Sequence, residues 1–219
     1  MAMVNAVPAP RTFTRKGSAT RDRIVAAAAV LIFKRGVAHT TTENVCDAAD
    51  VSTSQLYHYF KDKMALVRAV IDRQTENVLD AQREYLGRLD SIPRLRAWRD
   101  HVVGLQLYGG CKGGCPLGTL SSELSECSDE ARGDIALGFA RWEDGIFSGL
   151  QAMRDRGELG GNADPRQLAL ATLAALQGGL VLTQLRRDPE PLRAALDAII
   201  DHIESLVRAE SIALPTAKR

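Results

Sequence analysis

The chain has 219 residues, 45% of them apolar and 25% charged, with a formal net charge of +1. That length supports a substantial core in one large domain or two modest ones. Four cysteines are too few for a disulfide scaffold, so a reducing cytoplasm is the expected compartment. No apolar run approaches the roughly 18 residues that span a bilayer, so no membrane helix is expected. The opening MAMVNAVPAPRTFTRKG lacks the basic-then-apolar order of a signal peptide. Charge is uneven along the chain: residues 1–68 hold ten Lys/Arg against five Asp/Glu, and the remainder eighteen against twenty-two. A basic head followed by a mildly acidic body points to a polyanionic partner for the head, with chance asymmetry as the alternative.

Aromatics are scarce at 5%, and Ala and Leu, both good helix formers, dominate the apolar content. No stretch alternates apolar and polar residues long enough for a strand, so the chain reads as all-α. The first helix is expected over about Arg21–Arg35, capped by Thr20, with Ile24, Ala27, Ala28 and Leu31 on one face. Gly36 is placed to end it in a left-handed cap. The hydroxyls of Thr40, Thr41 and Thr42 precede a short helix reaching about Ala49, with Glu43 in its first turn. Ser52 caps a third helix ending near Phe60, and a fourth begins at Lys63 after the break at Lys61-Asp62. Two short helices separated by a few residues and packed on a longer one make a helix-turn-helix, whose second short helix enters a major groove.

The segment TTTENVCDAADVSTSQLYHYFKDKMALVRAV resembles the DNA-binding part of the tetracycline-repressor (TetR) family of bacterial regulators. Val51, Ser52, Leu56, Tyr57, Tyr59, Phe60, Lys63 and Leu66 stand in that family's register over roughly residues 20–70. Asp50 replaces the usual turn glycine, Ser54 a common small residue, and Met64 the acidic residue that usually follows the lysine. The resemblance implies a flexible basic arm over 1–18 and a helix-turn-helix domain over 19–66. Residues 67–219 would then form a helical domain for effector binding and dimerisation.

Thr53, Ser54 and Gln55 fall in the first turn of the recognition helix, the part that reaches base edges; a Gln amide suits adenine, and Ser or Thr several bases. Ser52 belongs to the same surface as its cap. Tyr57, His58 and Tyr59 read as phosphate contacts or packing groups, and the resemblance favours phosphate for Tyr57. The resemblance also makes Lys63 a phosphate ligand, and Thr42 offers its hydroxyl and a helix N-terminus to another. Arg11, Arg15 and Lys16, in a Pro/Ala-rich arm, would add nonspecific affinity, or else merely keep a leader soluble.

Beyond Leu66 a helical pattern continues to about Leu89, another runs from Pro93 to Tyr108, and a third from Asp129 to Asp155. In the third, Ile135, Phe139, Trp142, Ile146, Leu150 and Met153 form an apolar stripe. The resemblance implies an effector cavity among these helices, with Trp98, His101, Leu105, Tyr108, Leu124, Trp142 and Gln177 as candidate linings. An apolar wall would suit a hydrophobic or aromatic small molecule. From Leu168 to Leu185 apolar residues occur all round the helix, so it must be covered on every side. The final helix, about Glu190–Val207, carries a narrower stripe. Leu173, Leu176, Leu180, Leu182 and Leu185 of the first and Leu196, Ile199, Ile200 and Ile203 of the second are the candidate dimer contacts. Two helices per subunit would then form the four-helix interface usual in this family; the alternative is burial wholly within one protomer. A homodimer also suits a palindromic double-stranded operator with half-sites about one turn apart.

Glycines crowd LYGGCKGGCPLG, which therefore reads as a loop. Cys115 precedes Pro116 at a helix start, a position that lowers a thiol's pKa, and Lys112 is near in sequence. Cys111 and Cys115 are thus candidate redox residues, able to bridge across a flexible loop, beside the plainer reading of incidental cysteines. Cys127 lies roughly 18 Å along a straight helix from Cys115, too far to bridge to it. Cys46 reads as packing. No Cys/His set completes a metal site, and no cofactor is expected. The chain lacks His-Glu-x-x-His, Gly-x-Ser-x-Gly, a phosphate-loop Gly-Lys-Ser/Thr and a dinucleotide fingerprint, so no catalytic residue is nominated. The reading is a one-component transcriptional regulator, most simply a repressor released by a small molecule. A helical-bundle enzyme and an architectural DNA-binding protein that senses nothing are the alternatives.

Overall fold

The computed structural model describes residues 13–207, and among them ten helices and one isolated antiparallel bridge, Leu159 with Val207. The chain divides after Val70 into two compact units.

In the first unit α1 (Arg15–Arg35), α2 (Thr42–Ala49) and α3 (Thr53–Tyr59) surround a core of Ile24, Ala28, Ile32, Val45, Leu56 and Phe60. Helix α1 begins six residues before the expected start. Thr14, not Thr20, is its cap, with its hydroxyl accepting from Gly17 N at 3.2 Å. The Thr20 hydroxyl instead donates back to Lys16 O. Arg15 and Lys16 are therefore helical and not part of an arm, while Arg11 lies outside the described residues. Gly36 ends α1 at φ 81° and ψ 165°, a positive-φ conformation but an extended one, not the left-handed helical cap. Both short helices carry complete capping boxes, Thr41 with Asn44 and Ser52 with Gln55. Between them Asp50 takes the left-handed conformation (φ 49°, ψ 59°), the turn position where a glycine costs least. Arg23 Nε of α1 donates to Ala49 O at 2.9 Å, satisfying a carbonyl at the C-terminus of α2.

Helix α4 (Lys63–Asp80) carries the chain into the second unit. It stops at Ala81-Gln82 instead of running on to Leu89, and a short helix, α5 (Arg83–Leu86), follows. The break takes Gln82 into the interior, where its Oε1 accepts from Trp98 Nε1 at 2.9 Å and its Nε2 donates to Val78 O. Next come α6 (Ile92–Tyr108), α7 (Pro116–Leu124), α8 (Asp129–Asp155), α9 (Pro165–Arg186) and α10 (Glu190–Ser205). Helix α9 packs on α8 and α10, and α10 also lies along α6. Arg96 and Arg99 of α6 pair with Asp201, Glu204 and Asp197 of α10 along that seam.

Several closest approaches occur at glycines. A Cβ on Gly179 of α9 would lie 2.8 Å from Leu192 Cα, and one on Gly149 of α8 would lie 2.3 Å from Leu89 O. Helix α9 also reaches the length and apolar composition of a membrane span, which the sequence reading did not expect; its inward face is buried in the bundle, as in a core helix of a soluble protein.

Gly149→Ala forces a methyl group against backbone that cannot swing away. It should destabilise the protein by at least ~2 kcal/mol in chemical denaturation. Gly104→Ala, an exposed helical site with nothing within 4 Å of the added carbon, should be neutral or stabilising by up to ~1 kcal/mol.

Candidate functional site

Helix α3 fully buries Leu56, half-buries Tyr59 and exposes its remaining side chains. Ser52, Thr53, Ser54, Gln55, Tyr57 and His58 are all exposed. The described part of this unit carries nine Lys/Arg against five Asp/Glu, the electrostatic sign that phosphate backbones attract. Gln55 is partly committed. Its Oε1 accepts from Ser52 N at 2.9 Å, so reading adenine would use the second lone pair of that oxygen or release the cap. Tyr59 is half-buried with its ring 5.2 Å from Phe13 and 5.0 Å from His58, which makes it a packing group. Tyr57 stands free of that cluster and is about half exposed.

Lys63 Nζ donates to Val37 O at 2.7 Å. One of its three N–H donors thus holds the chain that follows α1, leaving the others for a phosphate. Thr42 is the first residue of α2, half-buried beside the capping Thr41. Its neighbour Glu43 already places a carboxylate at this helix N-terminus. Hydrogen bonds from its own backbone N–H and from the Thr41 and Thr42 hydroxyls hold that carboxyl below the usual range.

In the second unit a cavity of about 210 Å³ lies among α4, α6, α8 and α9 and the start of α7. Of the candidate linings, Leu105 and Trp142 face it. Gln177 lines an adjoining, larger depression of about 620 Å³ that shares Cys115 and Leu180 with the first. The other four nominations are corrected. Trp98 is fully buried and bonded to Gln82, and Leu124 is core. His101 stacks on Tyr85 at 4.6 Å with Nε2 2.7 Å from Ala81 O, and Tyr108 is 96% exposed. What the sequence reading missed is a row of amides, Gln74, Asn77, Gln82 and Gln106. Three of them lie with Val78 and Ala81 at i, i+3, i+4, i+7 and i+8 of one stretch, polar residues where a core face would be apolar. That spacing was there to be seen.

Among the described residues, the buried Trp142 Nε1 in this region finds no protein acceptor, while the Gln177 amide lies close enough to the Cys115 sulfur to act on its thiol. A buried N–H without a partner costs about 1–3 kcal/mol. Among the described residues, no Asp, Glu, Lys, Arg or His lines the cavity.

Cys115 caps α7, its sulfur accepting from Gly118 N at 3.4 Å. Burial pushes its thiol pKa up, outweighing the opposing pull of the Gly118 and Leu117 N–H groups and the Gln177 amide. The expectation of an acidified thiol is therefore reversed, because desolvation exceeds the effect of the helix terminus. Cys111 is buried at φ 53° with its carbonyl held by Arg187, and the four cysteines are unbridged. Cys127 alone is exposed. No cluster of His, Cys, Asp and Glu among the described residues could hold a metal ion.

The dimer nominations also need correction. Leu173, Leu176, Leu180, Leu196, Ile200 and Ile203 all fill the protomer's own core, because α9 and α10 close on each other at Gly179. Ile199 is half-buried, while Leu182 and Leu185 are exposed. The outward face of α9 is a different stripe: Leu170, Ala174, Gly178, Val181 and Leu185, with Leu182 at its edge.

A helix-turn-helix unit followed by an all-helical unit with a partly open cavity is the architecture of a DNA-binding regulator. The comparisons agree. Residues 24–70 match the bacterial regulatory proteins of the tetR family, and residues 91–199 the tetracyclin repressor-like C-terminal domain. The chain belongs to the TetR family of transcriptional regulators. It is 24% identical over 184 residues to the HTH-type transcriptional repressor DhaR of Mycobacterium sp. strain GP1, covering 83% of this chain and 90% of that one. It is likewise 24% identical over 196 residues to the repressor NemR of Escherichia coli K12, covering 88% and 96%. A TetR transcriptional regulator from Chloroflexus aurantiacus superposes with a TM-score of 0.75 at 25% identity, covering 89% of this chain and 99% of the other.

At neutral pH a soluble thiol reagent should label Cys127 first, with Cys111, Cys115 and Cys46 reacting only as the fold opens. Timed labelling with peptide mass spectrometry checks this order. Early loss of the Cys115 thiol would restore a reactive role for it.

Proposed function

We propose that the protein is a homodimeric repressor that reads a palindromic operator through α3 and leaves it when a small molecule occupies the helical unit. The observation that carries this is α3 itself. Its one buried residue is Leu56, and polar side chains of base-reading type, Thr53, Ser54 and Gln55, fill its exposed first turn. Tyr57, Lys63 and Thr42 are assigned to phosphates, and His58 to the rim of the same surface. The names of the relatives, both repressors, support the negative sign. The family and those relatives are regulators, so the helical unit is assigned a sensing role and no catalysis. The cytoplasm, where the operator is, is the assigned compartment.

The second subunit is assigned to the outward stripe of α9 together with Ala198, Ile199 and His202 of α10. One face of α9 lines the cavity through Leu176 and Leu180, and the outward stripe, whose Gly178 and Val181 also border the adjoining depression, is assigned to the partner. Helix α4 is shared in the same way: Lys63 opens it, and Gln74, Asn77 and Val78 further along line the cavity. A ligand that repacks these helices can therefore bias the operator-bound state. Moving occupancy from nearly full to nearly empty requires about 10⁴-fold preference for the released state.

Selection from random-sequence DNA should enrich a palindrome with half-sites about one helical turn apart. Weak, steeply salt-dependent binding without an enriched site would overturn the reading. Thr53→Ala should relax the preference at one symmetric pair of positions. Val181→Glu with Leu185→Glu, on an exposed face, should leave a folded monomer by light scattering and weaken operator binding at least ~100-fold.

A further inference from the structure

The cavity wall is unusual in what it lacks. Among the described residues it carries four amides and a thiol, but no Asp, Glu, Lys, Arg or His. The adjoining depression adds a single charged side chain among the described residues, Glu123. A charged ligand entering this partly open cavity would lose part of its water and find no counter-charge among the lining residues. The amides differ in how far they are committed. Gln82 is used at both ends, by Trp98 and by Val78 O, and the Gln74 carbonyl already accepts from Asn77. Trp142 is not committed: it lines the cavity, it is buried, and its Nε1–H has no protein acceptor. Across the shared wall of Cys115 and Leu180, the Gln177 amide is nearer to commitment, since it acts on the Cys115 thiol.

We propose that the helical unit takes a small uncharged molecule with an apolar body and a hydrogen-bond-accepting oxygen, the oxygen being received by Trp142 Nε1–H. At about 210 Å³ the cavity is smaller than the ~300–1,000 Å³ of most ligand pockets, so a single ring with a short carbonyl substituent fits its scale. Val102, Leu105, Leu176 and Leu180 supply the apolar contacts. The buried thiol stays protonated at neutral pH and adds no charge. This inference rests on the reading of the helical unit as the effector domain, and it names the chemistry that such an effector must have.

Four compounds of similar size separate the classes: acetophenone, ethylbenzene, benzoate and benzylamine. They are titrated against the full-length protein without DNA, following thermal shift and tryptophan fluorescence. Acetophenone should bind, ethylbenzene about tenfold more weakly, and the two ions more weakly still. Trp142→Phe should weaken acetophenone about tenfold and leave ethylbenzene unchanged. The selectivity of the unsubstituted protein is informative even if that variant folds poorly. Benzoate or benzylamine binding as tightly as acetophenone, an unaltered acetophenone affinity in a folded Trp142→Phe protein, or no binding by any of the four would each overturn the proposal. Operator release is measured separately. Selective binding without release leaves the ligand class standing and counts against the effector reading alone.

Discussion

A helix that is apolar on every side cannot finish its folding inside one thin layer, and α9 imposes that constraint on the whole second unit. Its inward half, with Leu173, Leu176 and Leu180, is taken up by α8 and α10. The closeness of that packing depends on Gly179, where a methyl group would collide with the Leu192 backbone. Its outward half still shows Leu170, Val181, Leu182 and Leu185 to solvent. Covering such side chains fully contributes about 1.5–3 kcal/mol each, which is the driving force available to a partner. The same helix therefore sets the cavity wall and the surface assigned to the second subunit.

The cavity persists because polar groups decline to fill it. Gln82 is drawn into the interior to meet the indole N–H of Trp98, and this interrupts what would otherwise be one long helix after α4. With Gln74, Asn77 and Gln106 it gives the cavity wall a row of amides. Trp142 is left with a buried donor and no acceptor, an unsatisfied group of the kind that native cores rarely tolerate without a ligand or water. In the first unit the polar groups are used in the opposite way. Capping boxes at Thr41 and Ser52, the left-handed Asp50 and the Arg23–Ala49 bond all close backbone valences, which fixes α3 with Thr53, Ser54 and Tyr57 on its exposed face.

Much of this was legible from residues alone, since it rests on local chemistry. Cap residues, the Lys61-Asp62 break and the 3.6-residue spacing of apolar side chains depend on neighbours in sequence, and they located α2, α3, α8 and the outward residues of the recognition helix. The start of α1 was misplaced because Thr20 and Thr14 are both plausible caps. In the structure Thr14 takes the cap bond from Gly17 N, Thr20 bonds back to Lys16 O, and Phe13 just before the cap packs against His58 and Tyr59. Asp50 in place of a turn glycine signalled a cost but not whether the fold would bear it.

What the sequence by itself determined was an all-helical chain with a DNA-reading head, because helix periodicity and the motif around VSTSQLYHYFKDK are written in consecutive residues. Which face of a fully apolar helix points inward is not a local property. Leu176 and Leu180 look the same in sequence as Leu182 and Leu185, and only the arrival of α10 at Gly179 separates core from exposed surface. The same holds for Cys115: its place before Pro116 predicted an acidified thiol, but burial among α7, α9 and the cavity wall raised it instead. Desolvation is set by every chain segment within reach, and tertiary structure alone decides which segments those are.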